Sequence, residues 1–187
     1  MPDRPMRADA RRNYERLLAA ARDVVAEQGT DASLEEVARR AGVGIGTLYR
    51  HFPTREALLE ALLHDRFDGL RAHAEELLGA GDPFEALADW LRRLGAGALT
   101  YQGLAQAMMS AIQDESSDLY ASCHGMRAAG EALLVRAQKA GQVRPEVEPL
   151  DALYLAAMIA SATERSPADP ELRDRLFTFM LDGLRPR

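Results

Sequence analysis

Between Gly44 and Arg55 the chain gathers Thr47, Tyr49, Arg50, His51 and Arg55 around two glycines, Gly44 and Gly46, without a single carboxylate. These are mostly hydrogen-bond donors. A guanidinium donates to phosphate or to guanine, Thr and Tyr hydroxyls donate to phosphate, and glycine lets a backbone come close to its partner. The chemistry expected of such a set is recognition of phosphates and base edges. For bond-making chemistry the chain offers no metal motif, nucleophile elbow, phosphate loop or convincing pair of carboxylates. No catalytic residue is assigned, and an enzyme is not expected. His64 and His73 are nine residues apart and Cys123 adjoins His124; neither pair has metal-ligand spacing on a helix face, so no metal or cofactor is assigned.

Those donors need elements that present them outward. The apolar periodicity is helical throughout, with no persuasive run of alternating β-branched residues, and the expected class is all-α with about nine helices. A first helix is expected over about Asp9–Gln28, with Gly29 as its left-handed cap. Ser33 followed by Glu36 reads as a capping box opening a short helix from Leu34 to about Ala41. Gly42 allows a sharp turn, Ala38 allows close helix approach, and a third short helix reaches about Phe52, turning Val43, Leu48 and Phe52 inward. Pro53 stops it. Thr54 then caps a long fourth helix with Leu58, Leu59, Leu62, Leu63, Phe67, Leu70, Leu77 and Leu78 as its stripe. Further helices are expected from Asp82–Pro83, over Leu104–Gln113, over Asp118–Ala140, over Leu150–Glu164 and from Asp169–Pro170 to Leu184.

With 187 residues the chain can bury a substantial core, and its one cysteine excludes an intramolecular disulfide. A charged first segment and the glycine-broken, polar-studded run Leu94–Gln113 read as a soluble cytoplasmic protein without a membrane span. The net charge of −6 hides a division. Residues 1–55 carry 10 arginines against 8 carboxylates, whereas residues 56–187 carry 13 cations against 21 carboxylates. A cationic face on an acidic body remains compatible with nucleic acid.

The stretch SLEEVARRAGVGIGTLYRHFPTREALLEAL closely resembles the DNA-binding domain of the tetracycline-repressor (TetR-like) family of bacterial transcription regulators, residue by residue from about Arg11 to Leu63. The resemblance implies a helix-turn-helix domain over residues 1–53 and a helical regulatory and dimerisation domain over 54–187. It implies that the helix from about Ile45 enters the major groove. Thr47 and Arg50 then become base or base-adjacent contacts, Tyr49 and His51 phosphate or sugar contacts, and Arg55 a phosphate clamp. Ser33 is assigned to the same interface, although capping alone also accounts for it. Gly44 and Gly46 are assigned as backbone approaches; Gly44 departs from the family pattern, where serine is frequent. For Arg11, Arg12, Arg39 and Arg40 a solvated surface is the better reading.

In the second domain Trp90, Tyr101, Met108, Met109, Cys123 and Met126 are assigned to an effector pocket, with ordinary core packing as the competing reading. The last two helices are apolar over most of their circumference, and the family dimerises through this pair. Leu153, Ala157, Phe177, Met180, Leu181 and Leu184 are therefore assigned to a dimer interface. The implied function is a homodimeric regulator, most often a repressor, that binds a near-palindromic double-stranded operator and responds to an unidentified small molecule. A helical adaptor or ligand-binding protein that has lost specific DNA binding is the alternative.

Overall fold

The computed structural model describes residues 3–96, 117–164, 169 and 171–186. Among them are eight helices and no strand: α1 (Asp3–Gln28), α2 (Leu34–Ala41), α3 (Ile45–His51), α4 (Arg55–Leu77), α5 (Pro83–Gly95), α6 (Asp118–Lys139), α7 (Pro149–Glu164) and α8 (Leu172–Leu184). The helix expected over Leu104–Gln113 lies outside the described residues. Two compact units divide between Asp65 and Arg66, within α4.

In the first unit α1 buries Leu17, Leu18, Ala21, Val24 and Val25, and α2 buries Leu34, Val37, Ala38 and Ala41. Leu48 and Phe52 from the α3 segment are buried as well, as are Leu58, Leu59, Leu62 and Leu63 from α4. Gly29 adopts the expected left-handed conformation (φ 79°) and donates its N–H to Val25 O at 2.8 Å. Polar ties brace the helices. Arg40 on α2 makes two bonds to Glu27 on α1, at 2.7 and 2.6 Å, and Arg22 on α1 lies 3.3 Å from Asp65 on α4.

In the second unit α5 packs on α6 and α7, and α7 on α8. Two glycines set close approaches. A Cβ on Gly130 of α6 would lie 2.3 Å from the Trp90 ring, and one on Gly95 of α5 would lie 2.6 Å from Phe177. The second half of α4 is tied to α5 by three polar contacts. Arg66 donates to Leu94 O (2.7 Å), Trp90 Nε1 donates to Leu70 O (3.0 Å), and His73 Nε2 lies 2.6 Å from Asp89 Oδ2. Residues 66, 70 and 73 share one face of α4, so these contacts form an antiparallel seam. Arg136 closes the end of α4 by donating to Leu77 O at 3.2 Å and to Ala80 O. Asp82 caps α5, accepting from the N–H groups of Phe84 and Glu85 at 2.9 and 3.0 Å.

Trp90, expected to line an effector pocket, is buried, 2% exposed, with its indole N–H bonded to α4. Cys123 and Met126 are buried on α6, where burial pushes the Cys123 thiol up from its ordinary range. Tyr101, Met108 and Met109 lie outside the described residues.

Of the residues assigned to a dimer interface, Phe177, Met180, Leu181 and Leu184 are buried within the single chain, and Leu153 and Ala157 are half-buried. The exposed apolar side chains of this pair are Tyr154 (60%), Met158 (58%) and Phe179 (69%), with Leu150 and Leu155 beside them in the α7 sequence. Helices apolar all round carry no phase from which sequence could tell an inner face from an outer one. The start of α8 also differs from expectation. It begins at Leu172, and Asp169 accepts the Glu171 N–H at 3.2 Å in the turn before it.

Candidate nucleic-acid interface

The turn between α2 and α3 is set by Gly42, which is left-handed at φ 65°. Its N–H bonds Arg39 O and the Val43 N–H bonds Ala38 O, both at 3.1 Å, which closes α2 in a Schellman arrangement. Arg16 of α1 donates to the Gly42 carbonyl at 3.4 Å, strapping the turn from behind. The α2 start realises half of the expected capping box. Ser33 Oγ accepts the Glu36 N–H at 3.4 Å, but Glu36 turns its carboxylate away to Arg39 and Arg40. The Ser33 hydroxyl itself donates to Glu35 at 2.7 Å, so its proton is already engaged within α2.

Leu48, fully buried, and Phe52, 2% exposed, anchor α3 inward as expected, while Val43 is half-buried. Tyr14 of α1 meets this end of the helix, its ring centroid 5.2 Å from Phe52 and 5.9 Å from His51. His51 is consequently half-buried between aromatic neighbours rather than fully outward. Burial, followed by the nearby Asp65 charge, raises the Tyr14 hydroxyl above its usual range. Tyr14 stands at the head of the apolar stripe of α1 that continues through Leu17, Leu18, Ala21, Val24 and Val25. A tyrosine in an otherwise aliphatic stripe was the available signal that this position reaches the surface.

The outer surface of α3 carries Ile45, Gly46, Tyr49 and Arg50, all exposed, with Thr47 half-exposed. Arg50 Nε donates to Gly46 O at 3.1 Å and its Nη2 to Thr47 Oγ1 at 3.2 Å. Thr47 thus accepts from Arg50 and keeps its own hydroxyl hydrogen to donate. Among the described residues no carboxylate lies within ion-pair distance of Arg50. Its neighbours on α2 differ. Arg39 makes two bonds to Glu36 (2.8 and 2.7 Å), and Arg40 makes one to Glu36 (2.7 Å) besides those to Glu27. These guanidinium bonds hold the Glu36 carboxyl down to about 2 and lower that of Glu27 as well. Arg55, after the cap at Thr54 (Ala57 N–H to Thr54 Oγ1, 3.1 Å), lies 3.6 Å from Asp31. Arg11 and Arg12 pair along α1 with Glu15 and Asp9.

Gly44 and Gly46 are not demanded by the fold. Gly44 caps α3 in extended conformation (φ −68°) with no side-chain bond, and a Cβ at either position would meet nothing within 4 Å. At Gly46, inside the helix, glycine forgoes stability relative to alanine without relieving any contact in the subunit, whereas at the Gly44 cap it is an ordinary choice that only lacks a side-chain bond.

Comparison with known proteins decides the family. A model described as "Bacterial regulatory proteins, tetR family" matches residues 17–62, and one described as "Transcriptional regulator SbtR-like, C-terminal domain" matches residues 82–186. The chain belongs to the TetR family of transcriptional regulators. The TetR-family regulator SCO0520 of Streptomyces coelicolor is 39% identical, with 92% of this chain and 98% of that one covered and a TM-score of 0.74. A TetR regulatory protein from Mycobacterium vanbaalenii is 36% identical over 97% of this chain and 100% of its own, with a TM-score of 0.69. Among curated TetR-family relatives the match is often confined to one segment. The regulator SAR0097 of Staphylococcus aureus is 36% identical over 78 residues, 40% of either chain. The repressor KstR of Mycolicibacterium smegmatis is 24% identical over 164 residues, 84% of this chain and 80% of that one. The match over residues 17–62 spans α2, α3 and their turn, where the exposed donors stand.

Proposed function

We propose that the protein is a homodimeric, sequence-specific DNA-binding regulator, a repressor that a small-molecule effector releases from a near-palindromic operator in the cytoplasm. The observation that carries the reading is the outer face of α3. It presents Arg50, cross-linked to Thr47 and free of carboxylate partners among the described residues, beside exposed Tyr49. A helix-turn-helix dimer places two such helices in successive major grooves, so half-site spacing follows from protein symmetry. Tyr154, Met158 and Phe179 supply the apolar surface for pairing α7 and α8 with a second copy. The effector is assigned to the second unit. Trp90, buried and already hydrogen-bonded, is less suited to touch it than the sequence suggested. α4 contributes to both units and is the element through which effector binding would act, provided the effector prefers one of two states.

The test is selection from random duplex DNA at low and near-physiological salt, with the subunit count measured by light scattering. Enrichment of an inverted repeat that survives the higher salt supports the reading, since non-specific binding weakens steeply with salt. Dimeric protein that enriches no repeat overturns it and favours the helical adaptor.

A further inference from the structure

Ile45 is an apolar residue of α3, yet it is 38% exposed, whereas Leu48 and Phe52 are buried. It is the first residue of α3 and stands between Gly44 and Gly46, both of which face open space. Its β-branched side chain is therefore the first to project from the helix, with clearance on both sides. Tyr49, one turn further along and 46% exposed, extends the same face. An exposed isoleucine flanked by glycines that the fold does not require gains nothing inside this subunit. Beside it, Arg50 and Thr47 form a donor cluster suited to base edges and phosphates. In the major groove the one base substituent that an aliphatic side chain can recognise is the 5-methyl group of thymine.

We infer that Ile45 is a specificity-determining residue that packs against a thymine 5-methyl group in each half-site. This rests on the DNA-binding function proposed above. The two glycines let the backbone approach closely enough for a short side chain to reach that methyl group. The recognition surface then has two parts: Arg50 with Thr47 reads hydrogen-bonding edges, and Ile45 reads an apolar one.

The experiment uses the full-length dimer and the duplex enriched from the random pool. Each thymine is replaced in turn by deoxyuridine, which removes only the methyl group, and affinity is measured for the parent protein and for Ile45→Ala. One thymine per half-site should show a loss of about fourfold on substitution, the fold-change that corresponds to burying one methyl-sized group. Ile45→Ala should bind the unmodified duplex more weakly by at least that factor and be insensitive to deoxyuridine at the same position. Its thermal midpoint should match the parent's, because the side chain is exposed. The inference is overturned if no thymine is sensitive, if Ile45→Ala keeps the parent's sensitivity, or if the enriched half-site lacks thymine. Failure of the parent to enrich any duplex instead removes the functional reading on which the inference stands, a result visible before any thymine is changed.

Discussion

α2 and α3 are successive helices of eight and seven residues, and each carries two basic side chains in its last turn, Arg39 and Arg40 in one, Arg50 and His51 in the other. Their environments are opposite. On α2 both guanidiniums are held by Glu36, and Arg40 is also locked to Glu27 across to α1. On α3 Arg50, among the described residues, bonds to a carbonyl and a hydroxyl of its own helix, and His51 rests against aromatic rings. One residue type serves to brace the unit in the first helix and is left available to a partner in the second. The count of arginines in the segment therefore overstates the charge it can offer a phosphate backbone, because ion-paired side chains release fewer counterions on binding.

The contrast can be broken from either side. Arg50→Ala should give the largest effect, a loss of operator affinity on the order of 10- to 100-fold per half-site if Arg50 makes a bidentate base contact, with unchanged thermal unfolding. Affinity titrations and melts on the same preparation check both parts; unchanged affinity would remove Arg50 from the interface. Gly42→Ala attacks the turn between the helices. The left-handed backbone there should cost about 1–2 kcal/mol of stability in urea unfolding, whereas a cost near zero would show that the turn relaxes freely.

Glu36→Gln tests the brace. The Glu36 carboxyl titrates near 2 in the folded protein against an ordinary 4.5, so its contribution to stability is fully present above pH about 4.5 and is lost as pH falls towards 2. The variant should have a lower thermal midpoint at neutral pH and a shallower decline over that acid range. Parallel pH profiles of parent and variant would contradict the assignment. The smallest effect is expected of Gly44→Ser, which supplies α3 with the side-chain cap it lacks: a gain of a few tenths of a kcal/mol. Loss of stability in this variant would show that the open space beside Gly44 is not available to a side chain.

The two short helices were legible because their boundaries are written in single residues. Ser33 caps α2, Gly42 ends it, and Pro53 and Thr54 separate α3 from α4, each through a local backbone requirement. Orientation around a helix was legible only where polar residues mark a side. Seven residues make two turns of α3, too few for periodicity to place Ile45 outside and Leu48 inside. The same ambiguity, for the opposite reason, left the burial of Phe177 and Met180 within the single chain unread. On α8 almost every apolar position could be inner or outer, and Phe179 between them is the exposed one. Ion pairing over distance, as between Arg40 and Glu27, follows from the packing of α1 on α2 and has no signature in either segment alone.

The seam between α4 and α5 contains the chain's only tryptophan. Trp90 donates to Leu70 O from a buried position and lies against Gly130. Tryptophan emission from this protein therefore comes from one indole at the meeting of α4, α5 and α6. It should be blue-shifted and shielded from aqueous quenchers. A red shift on adding a compound or a duplex would report that this junction has opened, which makes the unlabelled protein its own indicator in a search for effectors.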